Sequence, residues 1–280
     1  MKYKYLFLTS VCLLGFFGLT SLVYLQTKTN NTSKQLELSV IPSEVNYMLG
    51  EVAALSFKLT NVSDEDVSIL GDLNTSDGYL NVYVSQNGRN FSEYRHTKWG
   101  IKDAKSQPIK LSPSESVTTS ATILWNRKPE TKGLNTDVAE KATEGRILSH
   151  YAFPEVGTYF VKASYYNYFT KEAKPVLIES EPVQITIEEP AGEDLEVWNK
   201  IKDDGDIAYF IQEGDFRIPF YKTEERIKFK REIEQLLNQY PNSFYAQSLQ
   251  QSLDKFKATE EEKRKDFLQQ KIRKEKGKRQ

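Results

Sequence analysis

Two histidines, His96 and His150, one cysteine, Cys12, and the carboxylate run Asp203-Asp-Gly-Asp206 are the residues whose chemistry must be weighed first. A serine nucleophile would need one of those histidines beside an oriented acid, and the chain has no Gly-x-Ser-x-Gly elbow. His-Glu-x-x-His, a phosphate-cradling Walker loop and the Gly-x-Gly-x-x-Gly fingerprint are likewise missing from the sequence. The aspartate run lacks the spaced carboxylates and the distal bidentate glutamate of a calcium loop, and reads as a helix end followed by a cap at Asp206. Any two of the 39 acidic residues could converge as a glycosidase pair, but no spacing singles out such a pair. The expectation is a non-enzymatic chain with no catalytic residue, no metal and no cofactor.

Aromatic side chains offer a different chemistry. Phe91, Tyr94 and Trp99 lie with His96 on a long connection from Phe91 to Lys110, where they could stack on a sugar ring or grip a peptide. The same side chains would serve equally to fold that connection down onto a sheet. A second connection, Asn126 to Arg146, is mainly Lys, Glu, Thr and Asn, and either stays solvated or forms a brief helix near Thr136 to Thr143. Slow cleavage within one of these two segments is what a protease inhibitor would show.

The elements that would position them alternate with period two. Leu36, Leu38 and Val40 stop at Pro42; Ala53, Leu55, Phe57 and Leu59 follow the turn at Leu49-Gly50. Val67 to Leu70 comes next, then Leu80, Val82 and Val84, closed by the hairpin pair Asn87-Gly88. Val117, Thr119, Ala121, Ile123 and Trp125 share a face, as do Tyr159, Val161, Ala163 and Tyr165, and finally Val183, Ile185 and Ile187. About seven strands with no helical period between them predict a mainly β fold, an antiparallel two-sheet sandwich over residues 36–189.

Pro154 and Gly157 make a turn that runs into Gly157-x-Tyr159-x-Val161-x-Ala163. This resembles the next-to-last strand of immunoglobulin-like sandwiches, and the resemblance implies that Gly157 and Tyr159 form the structural corner, with the tyrosine hydroxyl bonded to backbone just upstream. Gly50-Glu51 and Leu59-Thr60-Asn61 are similar to the opening and close of a strand in bacterial envelope sandwich domains, many of which are interaction modules.

Before the sandwich, Tyr5 to Thr27 carries no charge. As a helix it would be roughly 34 Å long against a hydrocarbon core of about 30 Å, so residues 1–35 read as a single-pass membrane anchor and linker. The run ends in Leu22-Val-Tyr-Leu25 and lacks small residues for cleavage; secretion after signal removal is the alternative. Val11 before Cys12 argues against a lipoprotein. Lys2 and Lys4 favour an inside amino terminus, leaving the bulk of the chain extracytoplasmic and without a disulfide. Asn30, Asn31, Asn61, Asn74 and Asn90 each open an Asn-x-Ser/Thr triplet, which matters only in a eukaryotic secretory route.

After Glu189-Pro190-Ala-Gly192 the period changes, giving a helical region over 190–257. Asp194 can cap a first helix carrying Leu195, Trp198 and Ile201; Ile207, Phe210 and Ile211 form a second face; a third helix spans about Thr223 to Tyr240. Tyr240-Pro-Asn-Ser-Phe-Tyr-Ala246 is similar to the junction between paired helices of tetratricopeptide-like repeats, although no second copy exists. Residues 258–280 read as a frayed helix and a disordered tail, its last ten residues holding six basic groups against Glu275. With a net charge of −1, nucleic acid is not an expected partner. The function expected is interaction with a protein or a cell-envelope polymer, with a carbohydrate-binding module as the alternative.

Overall fold

The structure, a computed structural model, describes residues 35–70, 73, 79–95, 108–126, 150–169, 175–218 and 221–277. The anchor, His96, Trp99 and the Thr136 to Thr143 segment lie outside the described residues. Among the described residues eleven strands and four helices follow one another, all strands first. Residues Lys34–Gln280 form one compact unit.

One sheet is β3 (Ala53–Asn61) flanked by β1 (Leu36–Pro42) and β8 (Ser116–Ile123), both antiparallel to it. The second has the order β2 (Asn46–Met48), β11 (Val183–Glu188), β9 (Gly157–Asn167), β5 (Leu80–Ser85), β6 (Ser92–Tyr94), with β10 (Val176–Glu179) on the far half of β9. Among the described strands only β2 and β11 run parallel. A separate two-stranded ladder joins β4 (Val67–Leu70) to β7 (Pro108–Leu111). The molecule is thus β-rich, and its sheets are consistent with an immunoglobulin-like layout.

Alternation explains the core. In β3 the burial pattern repeats strictly, Ala53, Leu55, Phe57, Leu59 and Asn61 pointing inward. Asn61, fully buried, is an interior polar anchor: its amide nitrogen donates to the Glu65 and Leu111 carbonyls at 2.7 and 2.8 Å, and its oxygen accepts from the Ser63 N–H and hydroxyl. A buried amide needs such partners, and here they tie the end of β3 to its turn and to β7.

Four strands exceed the seven expected: β2, β6, β7 and β10. Each has only three or four residues, too few for a period to register, and β6 and β7 occupy the two ends of the supposed Phe91 to Lys110 loop.

The helices are α1 (Glu193–Ile201), α2 (Gly205–Glu213), α3 (Thr223–Gln239) and α4 (Phe244–Gly277). Their caps differ from those read in the sequence. Asp194 lies inside the first turn of α1 and reaches across to α4, accepting from the Ser243 hydroxyl at 2.8 Å and from the Phe244 N–H at 2.7 Å. The cap of α2 is Asp204, not Asp206: its Oδ1 accepts from the N–H groups of Asp206 and Ile207 at 2.9 and 3.1 Å. Burial pushes the Asp204 carboxyl up, against those two hydrogen bonds. Residues 258–277 do not fray off; they continue α4 as one helix of 34 residues. Glu260 to Lys263 and Glu261 to Lys265 ion pairs, three and four residues apart, support that solvated stretch.

Candidate functional site

The three expected aromatic ligands do not form a described platform. Tyr94 is an interior residue of β6, 6% exposed, and its hydroxyl donates to the Trp125 carbonyl and the Gln212 side-chain oxygen, both at 2.9 Å. Its ring is therefore closed to a ligand, and burial pushes its hydroxyl pKa well up. Phe91 is half-buried under the Lys162 ammonium, 5.0 Å from the ring centroid. Trp99 lies outside the described residues.

At the corner, the Tyr159 hydroxyl donates to the Glu155 carbonyl at 3.0 Å and accepts from the Glu155 N–H at 3.2 Å. Gly157 is the first residue of β9. Among the described residues no group of three His, Cys, Asp or Glu side chains is placed to hold a metal ion, and Asp204 and Asp206 belong to the cap and first turn of α2.

Sequence reading missed the junction between sheets and helices, whose hub is Gln212. Its Oε1 accepts from the Leu124 N–H at 2.9 Å, the Trp125 N–H at 2.6 Å and the Tyr94 hydroxyl, while its Nε2 donates to Glu213 at 2.8 Å. Both Gln212 and Glu213 are 5% exposed. The signal was available: two polar residues close the most apolar of the described helices, directly after Ile207-Ala-Tyr-Phe-Ile211.

Aromatic packing completes the seat. Trp125 stacks on His150 at 5.0 Å and meets Tyr151 edge-on, Tyr151 meets Trp198 edge-on, and Trp198 stacks on Tyr245 at 5.8 Å. The Tyr245 hydroxyl donates to the Leu49 carbonyl. Gly50, at φ +82°, lies flat under Trp198: a Cβ there would come within 2.2 Å of the indole. His150 also closes the base of the Asn126 to Arg146 excursion, because the Asn126 N–H donates to its carbonyl at 2.6 Å and the Ala152 N–H to that of Leu124 at 2.7 Å.

Beside this seat lies a cleft of about 420 Å³ between the Ser43 to Ala54 segment and α4. Glu44 and Glu51 stand on the first wall, Gln247, Gln251 and Lys255 on the second, and Tyr47 and Ile211 form part of the floor. Tyr47 braces the first wall, its hydroxyl donating to the Ala54 carbonyl at 3.3 Å and accepting from the Glu44 N–H at 3.1 Å. Glu51 accepts from the Met48 N–H at 2.7 Å, and partial burial raises its carboxyl pKa, helped by repulsion from Glu44.

No protein-family model matches the chain, and no curated protein matches it. Solved structures give distant likenesses. The CARDB domain of a Pyrococcus furiosus protein, determined with two metal ions, is 11% identical, with a TM-score of 0.27, over 55% of this chain and 87% of that domain. The sporulation control protein Spo0M of Bacillus subtilis is 10% identical, TM-score 0.27, over 59% of this chain and 54% of its own. A β-glucosidase of Erythrobacter marinus is 12% identical, TM-score 0.26, over 55% of this chain but only 15% of the enzyme. Scores this low say nothing of activity or partner. The tetratricopeptide likeness gains no support: Tyr240 to Ser243 joins α3 to α4, and the described residues hold no second such pair.

Proposed function

We propose that this chain is a membrane-held, extracytoplasmic, non-enzymatic interaction protein, in which an immunoglobulin-like sandwich seats a helical arm that meets a protein partner. The membrane placement rests on the uncharged run Tyr5 to Thr27 and the leading Lys2 and Lys4. Among the described residues no helix is long and apolar enough to cross a membrane.

The observation that carries the reading is α4. Leu249 and Leu253 are its last deeply buried residues, and from Lys257 onward every side chain described is exposed, Leu268 included at 48%. A helix that leaves its own core and continues for five more turns has a length the fold does not need, which fits a spacer or docking arm.

The test is crosslinking and purification from intact cells, using the full chain and a chain ending at Lys257. Recovery of one stoichiometric protein with the full chain, lost on truncation while the circular dichroism of the remainder is kept, is the expected result. Equal recovery by both chains would remove the arm from the function. Recovery of polysaccharide alone would place the sugar-binding alternative first.

A further inference from the structure

The cleft beside the seat has the size of a small-molecule site, since such pockets run from about 300 to 1,000 Å³. Its charges are sorted by wall. Both carboxylates, Glu44 and Glu51, come from the turn and strand start of the sandwich, and the one cation, Lys255, comes from α4. Among the described residues the Lys255 ammonium forms no ion pair and no hydrogen bond, whereas Lys263 and Lys265 on the same helix each take a carboxylate.

Its place is nevertheless fixed. Gly214, the left-handed cap of α2 at φ +64°, leaves room for the Lys255 stem: a Cβ there would lie 2.7 Å from the lysine Cδ. Beside Lys255 on the second wall stand two neutral amides, Gln251, without a side-chain hydrogen bond among the described residues, and Gln247, whose Nε2 donates to the Asn242 carbonyl. The Glu51 carboxylate is desolvated, held by one N–H and repelled by Glu44, so a cation on that wall would relieve it.

We propose that this cleft binds a small zwitterion of the α-amino-acid type, its ammonium against Glu44 and Glu51, its carboxylate toward Lys255. Opposite charges on facing walls fit a ligand that carries the reverse pair, as an α-amino acid does on its one α-carbon.

The experiment is saturation-transfer NMR and calorimetry on the full chain in detergent. The probes are the twenty free α-amino acids, the N-acetyl and methyl-ester forms of any that bind, and glucose with N-acetylglucosamine. At least one free amino acid should bind, at least tenfold tighter than either blocked form. Glu44→Gln with Glu51→Gln should weaken the free amino acid tenfold or more while leaving the N-acetyl form unchanged; Lys255→Met should likewise weaken the free amino acid tenfold or more while leaving the methyl ester unchanged. Glu44 and Lys255 are exposed, and Gln at position 51 keeps an acceptor for the Met48 N–H, so the variants keep the fold. Absence of binding by all twenty, equal binding of blocked forms, binding of the sugars instead, or indifference to the substitutions would each overturn the proposal.

Discussion

The two hydrophobic cores of this protein are built on different terms. Among the described residues the sandwich core contains 25 buried residues, all from positions 36–187, and none from a helix. The helical core contains 16, and three of these, Leu124, Trp125 and Tyr151, come from the sandwich, with Met48, Leu49 and Val52 packed against them. Seven of those 16 are aromatic, against six of 25 in the sandwich. Long-range strand pairing lets aliphatic side chains close the first core from within. Short helices of nine residues bury too little alone, and large rings borrowed from the neighbouring sheet supply the missing area. Dependence is therefore unequal: the helices need the sandwich for much of their core, whereas the sandwich takes from them chiefly the Gln212 acceptor at Leu124, Trp125 and Tyr94 and the cover over Leu124, Trp125 and Tyr151.

The comparison breaks most readily at Trp198. Trp198→Ala should cost the helices about 3 to 5 kcal/mol, the usual penalty for emptying a buried indole. Hydrogen exchange should rise in α1 to α4 and stay unchanged in β3 and β9. A parallel rise in both would show a single cooperative body and end the asymmetry.

Gln212→Leu sharpens it at the polar hub. The substitution leaves the Leu124 and Trp125 N–H groups without their acceptor, at about 1 to 3 kcal/mol for a stranded buried group. Tyr94 keeps its bond to the Trp125 carbonyl and should stay in place. The denaturant midpoint of the helices, followed by far-ultraviolet circular dichroism, should fall more than that of the sheets.

The smallest effect belongs wholly to the sandwich. Tyr159→Phe removes the hydroxyl that joins both backbone groups of Glu155, about 0.5 to 1.5 kcal/mol. Helix exchange should be unmoved, and an unchanged sheet midpoint would mean that this pair of bonds stabilises nothing.

What could be read from residues alone follows the same division. The alternation of β3, β5, β9 and β11 is written in their apolar positions, because each buries one face along most of its length. Strands of three or four residues carry little readable period, β4 with its apolar Val67, Ile69 and Leu70 excepted; β2 and β7 are held by strands distant in sequence, β11 and β4, whereas β6 and β10 lie on their sequence neighbours β5 and β9. The helix faces were legible from spacings such as Phe229 and Ile233. Their caps were not, since Asp194 serves a helix 50 residues away and local pattern favours the nearest N–H. Tyr94 misled for a related reason: an aromatic residue amid polar neighbours reads as a loop, whereas its hydroxyl is claimed by Trp125 and Gln212 from beyond the local sequence. The cleft was invisible, being made where the residue 43–54 segment meets α4.

Helix α4 also acts as a lever. From Leu253 to Gly277 it extends about 36 Å at 1.5 Å per residue, so a tilt of roughly 10° at its seat would sweep the tip through about 6 Å. Trp198 and Tyr245, stacked above Gly50, are the fulcrum. A displacement of the indole by the width of one methyl group is thereby magnified at the tip, and anything grasping the tip pulls on the sandwich with the same mechanical advantage in reverse.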